Sequence, residues 1–269
     1  MATIEVNGIT IYYEVHGREP GTGEWVLNIG GTGGDLRRTF PGRSPLNEHF
    51  RVLHYDQRGL GRTSKPEQPY SMADYADDAA ALIERVAGGR CHVVGTSFGG
   101  MVALNLAVRR PDLIERLALL VTSPGGSHAS YALPELAALP PDEAFATRMR
   151  LLDQRWDPEA SEPIPGLGPI YDFIVEQQRE ILPPEVQAGL DRQLAARDGH
   201  DVVEDLTAIG HPTLVVAGRY DGLAPVENAE FLAAHLCDAR LQVFDGGHLV
   251  MFQDTGVWPA VIDFLAEAA

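Results

Sequence analysis

The chain is poor in cysteine, in positive charge and in long apolar runs, and each shortage removes a class of protein. Only two cysteines, Cys91 and Cys237, occur in 269 residues, so no disulfide framework staples the fold. Both read as reduced structural thiols. Lysine and arginine number 21 against 38 aspartates and glutamates, a formal charge of -17, and no basic run offers a footprint for phosphate backbones. Nucleic acid is therefore excluded as a partner. The acidic surplus makes the molecules repel one another and disfavours a strongly anionic substrate at long range. Nowhere do 18 apolar residues follow one another, and the opening MATIEVNGITIYYEVHG has no basic stretch followed by an apolar one. The expectation is a soluble cytoplasmic protein with no membrane partner. Internal repeats and low-complexity tracts are missing as well.

What the chain does have is a full complement of core residues, 45% hydrophobic, enough for one large domain. Short β-rich runs alternate with amphipathic helical stretches, the pattern of an α/β fold with a mostly parallel sheet covered by helices on both faces. Eight strands are predicted: TIEV, ITIYYEV, WVLNI, RVLHYD, CHVVG, RLALLV, PTLVVAG and RLQVFD. The first two are joined through Asn7-Gly8, a hairpin turn signal. Helices are predicted over Met72–Val86, Ser97–Arg109, Val226–His235 and Val257–Glu267.

Between RLALLV and PTLVVAG the alternation stops. Residues 124–205 carry helical patterning, several prolines and no strand, which separates a core domain (1–123 and 206–269) from a helical insertion. The stretches EAFATRMRLLDQRW and IYDFIVEQQREIL are predicted helices of that insertion, and their aromatic and long aliphatic residues suit a cap over a site or, equally, a packing face.

One short stretch carries the chemistry. GTSFGG, residues 95–100, lies where the strand CHVV passes into the helix MVALNLAV. A G-x-S-x-G pattern is modest evidence by itself, so its context decides, and a serine at a tight strand-to-helix turn needs neighbours without side chains. Gly95 and Gly99 supply that room, and Gly100 lets the helix pack close to the sheet. A serine hydroxyl is a poor nucleophile at neutral pH, so Ser97 requires a base and a group to orient it. In an open parallel sheet reactive groups gather beyond the carboxyl ends of the strands. Of nine histidines, His248 fits best, following RLQVFD on the loop Gly246-Gly247-His248, whereas His54 and His92 lie in strands and His235 in a helix. Asp221, just beyond PTLVVAG, is the candidate acid, with Asp245 as its competitor.

Acyl transfer also needs donors for an oxyanion. The N–H of Phe98, at the start of a helix, is one candidate, and the N–H of Thr32 in Gly30-Gly31-Thr32-Gly33-Gly34 is the other. That loop lacks a G-K-[ST] ending and the G-x-G-x-x-G spacing, which argues against phosphate binding. Phe98, Tyr131, Trp156, Tyr171, Phe173 and Leu249, with Gly31, are the candidates for lining a substrate pocket.

The order of Ser97, Asp221 and His248, the elbow GTSFGG and the glycine-rich loop together resemble the α/β-hydrolase superfamily. YDQRGLGRTSKP, residues 55–66, is similar to a segment of its lid-bearing subgroup, which includes enol-lactonases, small esterases, haloperoxidase-like enzymes and meta-cleavage C–C hydrolases. The resemblance implies an eight-stranded α/β-hydrolase core with a helical cap, and a serine hydrolase acting on a small to medium, largely apolar ester or lactone without cofactor or metal. The partner it implies is a small-molecule substrate. It leaves open a C–C bond hydrolase on a diketone-like substrate, or a ligand-binding protein on the same fold. In that family Asp56 and Arg58 have structural roles, for which a turn-stabilising ion pair is expected. Many relatives carry His-Gly before the oxyanion residue, whereas this chain has Gly30-Gly31 and so lacks the hydrogen bond such a histidine makes to the loop. Serine at the elbow, where haloalkane dehalogenases and epoxide hydrolases have aspartate, argues against those two activities. Oligomeric state is not legible in the sequence.

Overall fold

All eight β-rich runs form strands, and they assemble into one sheet. The computed structural model describes residues 2–19, 24–162, 164–168, 171–172, 175–176 and 182–267. Its strands are β1 (Ala2–Val6), β2 (Ile9–Gly17), β3 (Trp25–Ile29), β4 (Arg51–Tyr55), β5 (Cys91–Thr96), β6 (Ile114–Leu120), β7 (Thr213–Gly218) and β8 (Ala239–Phe244). Their order across the sheet is β1-β2-β4-β3-β5-β6-β7-β8. β2 runs antiparallel to both its neighbours, and every other pairing is parallel. Asn7 and Gly8 turn the first hairpin with φ of 51° and 75°, the paired left-handed conformation that Asn-Gly accepts at little cost.

The central strands read as continuous apolar runs because both their faces are covered. Along CHVV, Val93 joins a core under one set of helices while Val94 joins the core on the opposite face. Among the described residues the six longer helices are α1 (Met72–Leu82), α2 (Phe98–Arg109), α3 (Pro141–Leu152), α4 (Pro184–Asp198), α5 (Val226–His235) and α6 (Val257–Leu265). Ser71 and Asp74 form a capping box at the start of α1, which ends in a wider turn over Ile83–Ala87. α1, α2 and α5 pack on one face of the sheet, and α6 on the other.

The strand order reverses beside β3, which lies between β4 and β5. The loops leaving β3 and β5 therefore diverge around a crevice at the carboxyl edge of the sheet, where ligands bind in folds of this kind. That crevice holds Gly30–Gly34 on one side and Ser97 on the other.

The described residues of 124–205 are helical and irregular, and their only β contacts are isolated bridges from Gly125 to His128 and Asp201. Entry and exit of the segment run side by side, with Val202 N–H donating to Pro124 C=O at 3.0 Å. Much of IYDFIVEQQREIL, Phe173 included, lies outside the described residues. α4 falls within the stretch expected to be helical but carries no apolar stripe to mark its bounds, since the residues it buries are Gly189, Gln193, Ala196 and Arg197.

The expected ion pair between Asp56 and Arg58 is corrected. Arg58 instead grips Asp78 of α1 through two hydrogen bonds of 2.9 Å, and Asn7 donates to the same carboxylate at 3.0 Å. Burial pushes the Asp78 carboxyl above the usual carboxylate range despite that partner. Asp56, fully buried, accepts the backbone N–H groups of Leu36 at 2.7 Å and Arg62 at 2.8 Å and pairs with the Arg62 side chain. Each residue does hold the loop, but through its own partner.

Candidate active site

Ser97 sits one residue after β5 and one before α2, with φ 54° and ψ -117°, a conformation that a non-glycine residue adopts only under constraint. The constraint is visible. Its N–H donates to Leu120 C=O at 2.8 Å, and its C=O accepts the Thr122 hydroxyl at 2.7 Å. The flanking glycines permit the turn by allowing backbones to touch. A Cβ on Gly95 would lie 2.4 Å from Gly99 O, one on Gly99 would lie 2.1 Å from Ile29 O, and one on Gly100 would lie 2.6 Å from the Thr122 side chain. Gly99 thus presses the first turn of α2 against the end of β3.

His248 Nε2 is 2.9 Å from Ser97 Oγ, and His248 Nδ1 is 2.8 Å from Asp221 Oδ2. The other carboxylate oxygen of Asp221 accepts the N–H groups of Leu223 and Ala224, both at 2.8 Å, which fixes its orientation. Asp221 and His248 are buried, while Ser97 is partly exposed. The loops carrying the acid and the histidine meet where a Cβ on Gly218 would lie 2.1 Å from Gly247 O. Of the two aspartates weighed from sequence, the structure brings Asp221 to the ring. Asp245 lies 3.6 Å from Arg155 instead.

Residues at and just beyond the end of α3 hold both loops. His248 N–H donates to Leu152 C=O at 2.7 Å, at the end of α3, and the Gln154 side chain donates to Asp221 C=O at 3.3 Å. Asp153, wholly buried, accepts from Arg155 and from Gln253, and Gln253 Oε1 in turn accepts Gly247 N–H at 2.8 Å. These contacts were not legible in sequence, since they join segments far apart in the chain.

On the other side of Ser97, a Cβ on Gly31 would lie 3.6 Å from the serine Cβ, so the glycine-rich loop borders the hydroxyl. Side chains brace it where the expected histidine is missing. Gln57 Nε2 donates to Gly30 C=O at 2.7 Å, and Gly33 N–H donates to Gln193 Oε1 at 2.8 Å. Neither Thr32 N–H nor Phe98 N–H serves a backbone acceptor in the turns and loops described.

The pocket candidates divide. Trp156, Tyr171 and Leu249 share one apolar cluster with Met149, Ile164 and Leu167, beside the histidine loop. Tyr131 belongs to another, with Leu136, Leu151 and Leu223. The Phe98 side chain is wholly buried and edge-on to Tyr75 at 4.9 Å, so it packs in the core rather than lining a pocket. A cleft of about 440 Å³ is walled by Phe145, Trp156 and Tyr171 and rimmed by Asp142 and Asp157, with neither Ser97 nor His248 in its walls. Among the described residues, no helix is long and apolar enough to cross a membrane, and no group of His, Cys, Asp and Glu is placed to hold a metal ion.

Comparison with known proteins agrees with the architecture. The sequence profile of the alpha/beta hydrolase family matches residues 15–260. A putative carbamate hydrolase RutD from Variovorax paradoxus is 31% identical, with 96% of this chain and 97% of the relative aligned. One from Caulobacter vibrioides is 32% identical over 96% of each. Among solved structures, a hydrolase from Pseudomonas aeruginosa superposes with a TM-score of 0.78 at 30% identity, covering 99% of this chain and 98% of that one. The enol-lactonase of Burkholderia xenovorans superposes with a TM-score of 0.79 at 25% identity, covering 99% and 100%. By sequence and by fold, the chain belongs to the alpha/beta hydrolase family and is a hydrolase.

Proposed function

We propose that the protein is a serine hydrolase that opens a small to medium, largely apolar carboxylic ester or lactone through an acyl-enzyme. The observation that carries this reading is the unbroken chain from Ser97 Oγ to His248 at 2.9 Å and on to Asp221 at 2.8 Å. His248 Nε2 takes the serine proton as Oγ bonds to the carbonyl carbon, and Asp221 steadies the imidazolium. The carbonyl π electrons move onto oxygen, where the N–H groups of Thr32 and Phe98 receive the charge. Collapse expels the alcohol, which takes the proton from His248. Water, deprotonated by the same ring, then releases the acid and restores Ser97. Residues 124–205 serve as the cap, with Trp156 and Tyr171 packed against Leu249, the residue after His248, as its apolar wall.

A second reading is favoured by the names of the relatives at 31% and 32% identity, for a carbamate carbonyl is open to the same attack. A turnover screen over nitrophenyl esters of graded acyl length, lactones, carbamates and a vinylogous diketone separates the classes, with Ser97→Ala as the blank. Fastest Ser97-dependent turnover on esters or lactones is expected. Preference for the diketone or the carbamate would replace the substrate class. Turnover on none, with tight ligand binding, would mean a binding protein.

A further inference from the structure

The loop that borders Ser97 is the least constrained backbone in the site by composition, with four glycines in Gly30-Gly31-Thr32-Gly33-Gly34. Oxyanion stabilisation demands the opposite, donors held in place before charge develops. Something other than the loop's own side chains must fix Thr32. Two buried amides do so.

Gln57 is 2% exposed and Gln193 wholly buried. Gln57 Nε2 donates to Gly30 C=O at 2.7 Å, and Gln193 Oε1 accepts Gly33 N–H at 2.8 Å, so the two contacts bracket Thr32. A carbonyl can only accept and an N–H can only donate, so the backbone dictates which way each amide faces. The free ends then match: Gln193 Nε2 faces Gln57 Oε1 at 3.5 Å, donor toward acceptor. Loop, core and insertion thus form one closed ring of hydrogen bonds without a wrongly paired atom.

Gln193 arrives on α4, which is pinned along its length. A Cβ on Gly189 would lie 1.9 Å from Gly59 O, Arg192 donates to Glu67 C=O at 3.0 Å, and Arg197 donates to the Ser130 hydroxyl and to Tyr131 C=O at 2.6 and 2.7 Å.

We propose that Gln193, acting with Gln57, is a positioning residue that sets the Thr32 N–H for the oxyanion, so that the inserted segment completes the catalytic machinery of the core. The proposal rests on the serine-hydrolase reading above. Gln193→Met keeps the side-chain volume while removing both hydrogen bonds, and Gln57→Met breaks the ring at its other end. Each is expected to lower kcat/KM for a nitrophenyl ester by roughly 10- to 100-fold with KM within about threefold. Affinity for a trifluoromethyl ketone, whose adduct carries the oxyanion, should fall by the same factor. The double variant should lose little more than either single one, as members of one ring do. Arg192→Met, which loosens the same helix from its outer side, should keep turnover within twofold. Loss of turnover with unchanged ketone affinity, or an equal loss in Arg192→Met, would mean that the amides only support the fold. Full activity in Gln193→Met beside a wild type labelled at Ser97 by a fluorophosphonate overturns the clamp alone. A wild type that is not labelled overturns the serine reading, and the clamp with it.

Discussion

A single methyl group at Gly99 should disable the site without touching any reacting atom. Its Cβ would lie 2.1 Å from Ile29 O and 2.6 Å from Gly30 O, both backbone atoms that no rotamer change can move. Relief requires α2 and the end of β3 to part by about 0.9 Å, because a close-packed interior leaves no slack to absorb the clash. The displacement falls between the two proposed oxyanion donors, since Phe98 adjoins Gly99 and Gly30 begins the loop that carries Thr32. A misplacement near 1 Å costs about 100-fold in rate, or about 2.7 kcal/mol of transition-state stabilisation. Overpacking at one site costs about 1–3 kcal/mol of stability, which a full-sized domain survives. Gly99→Ala is therefore expected to fold, melt a few degrees early and lose roughly 100-fold in kcat/KM on an ester, with the loss in kcat. Gly210→Ala is the control, for a Cβ there meets nothing within 4 Å. If Gly99→Ala kept more than half the wild-type kcat/KM, the geometry assigned to the elbow and its loop would be wrong.

Other perturbations test other parts of the structure. Arg58→Met strands the buried Asp78 carboxylate and should cost about 3–5 kcal/mol in a urea melt, whereas Arg58→Met with Asp78→Leu should cost less than the single change; equal or greater loss in the double variant would refute the buried pair as the cause. His200 is held near a pKa of about 4 by burial, its Nε2 facing Ser123 C=O and its Nδ1 facing Asn105. The unfolded chain, with its histidine near 6.5, takes up the proton first on acidification, so this stabilisation is whole above pH 6.5 and drains away as pH falls toward 4. Melting temperature should fall between pH 7 and pH 5, and fall less steeply in His200→Gln; an identical slope would contradict the assignment. Asp221→Asn should retain the fold and lose on the order of 10⁴ in kcat, read from steady-state ester hydrolysis.

The parts of this molecule that were legible in its sequence are those in which local chemistry and position coincide. CHVV sends Val93 and Val94 into the cores on opposite faces of the sheet and GTSFGG permits a strained turn, so the place of Ser97 could be read from the sequence. Asp221 and His248 could be picked out because each follows a strand at the carboxyl edge of a parallel sheet, and the structure brings both side chains into line with Ser97. What escaped depends on pairing across the chain. Arg58 meets Asp78 rather than Asp56 because α1 turns an acidic residue inward, which a pattern of apolar residues does not record. The bounds of α4 escaped for the same reason, its inner face being built from Gly189, Gln193, Ala196 and Arg197. The absence of a histidine before Gly31 was plain in the sequence, but its replacement by two glutamines, 136 positions apart, was not.

The serine reading stands or falls on whether an acyl group is carried by Ser97. Rapid mixing with a nitrophenyl ester, acid quench and intact-mass spectrometry would detect it directly. The expected result is a mass increase equal to the acyl group, mapped to the peptide holding Ser97 and missing in Ser97→Ala. His248→Ala should form the adduct slower by orders of magnitude. Ester turnover at full rate with no adduct on Ser97, or an undiminished rate in Ser97→Ala, would contradict it.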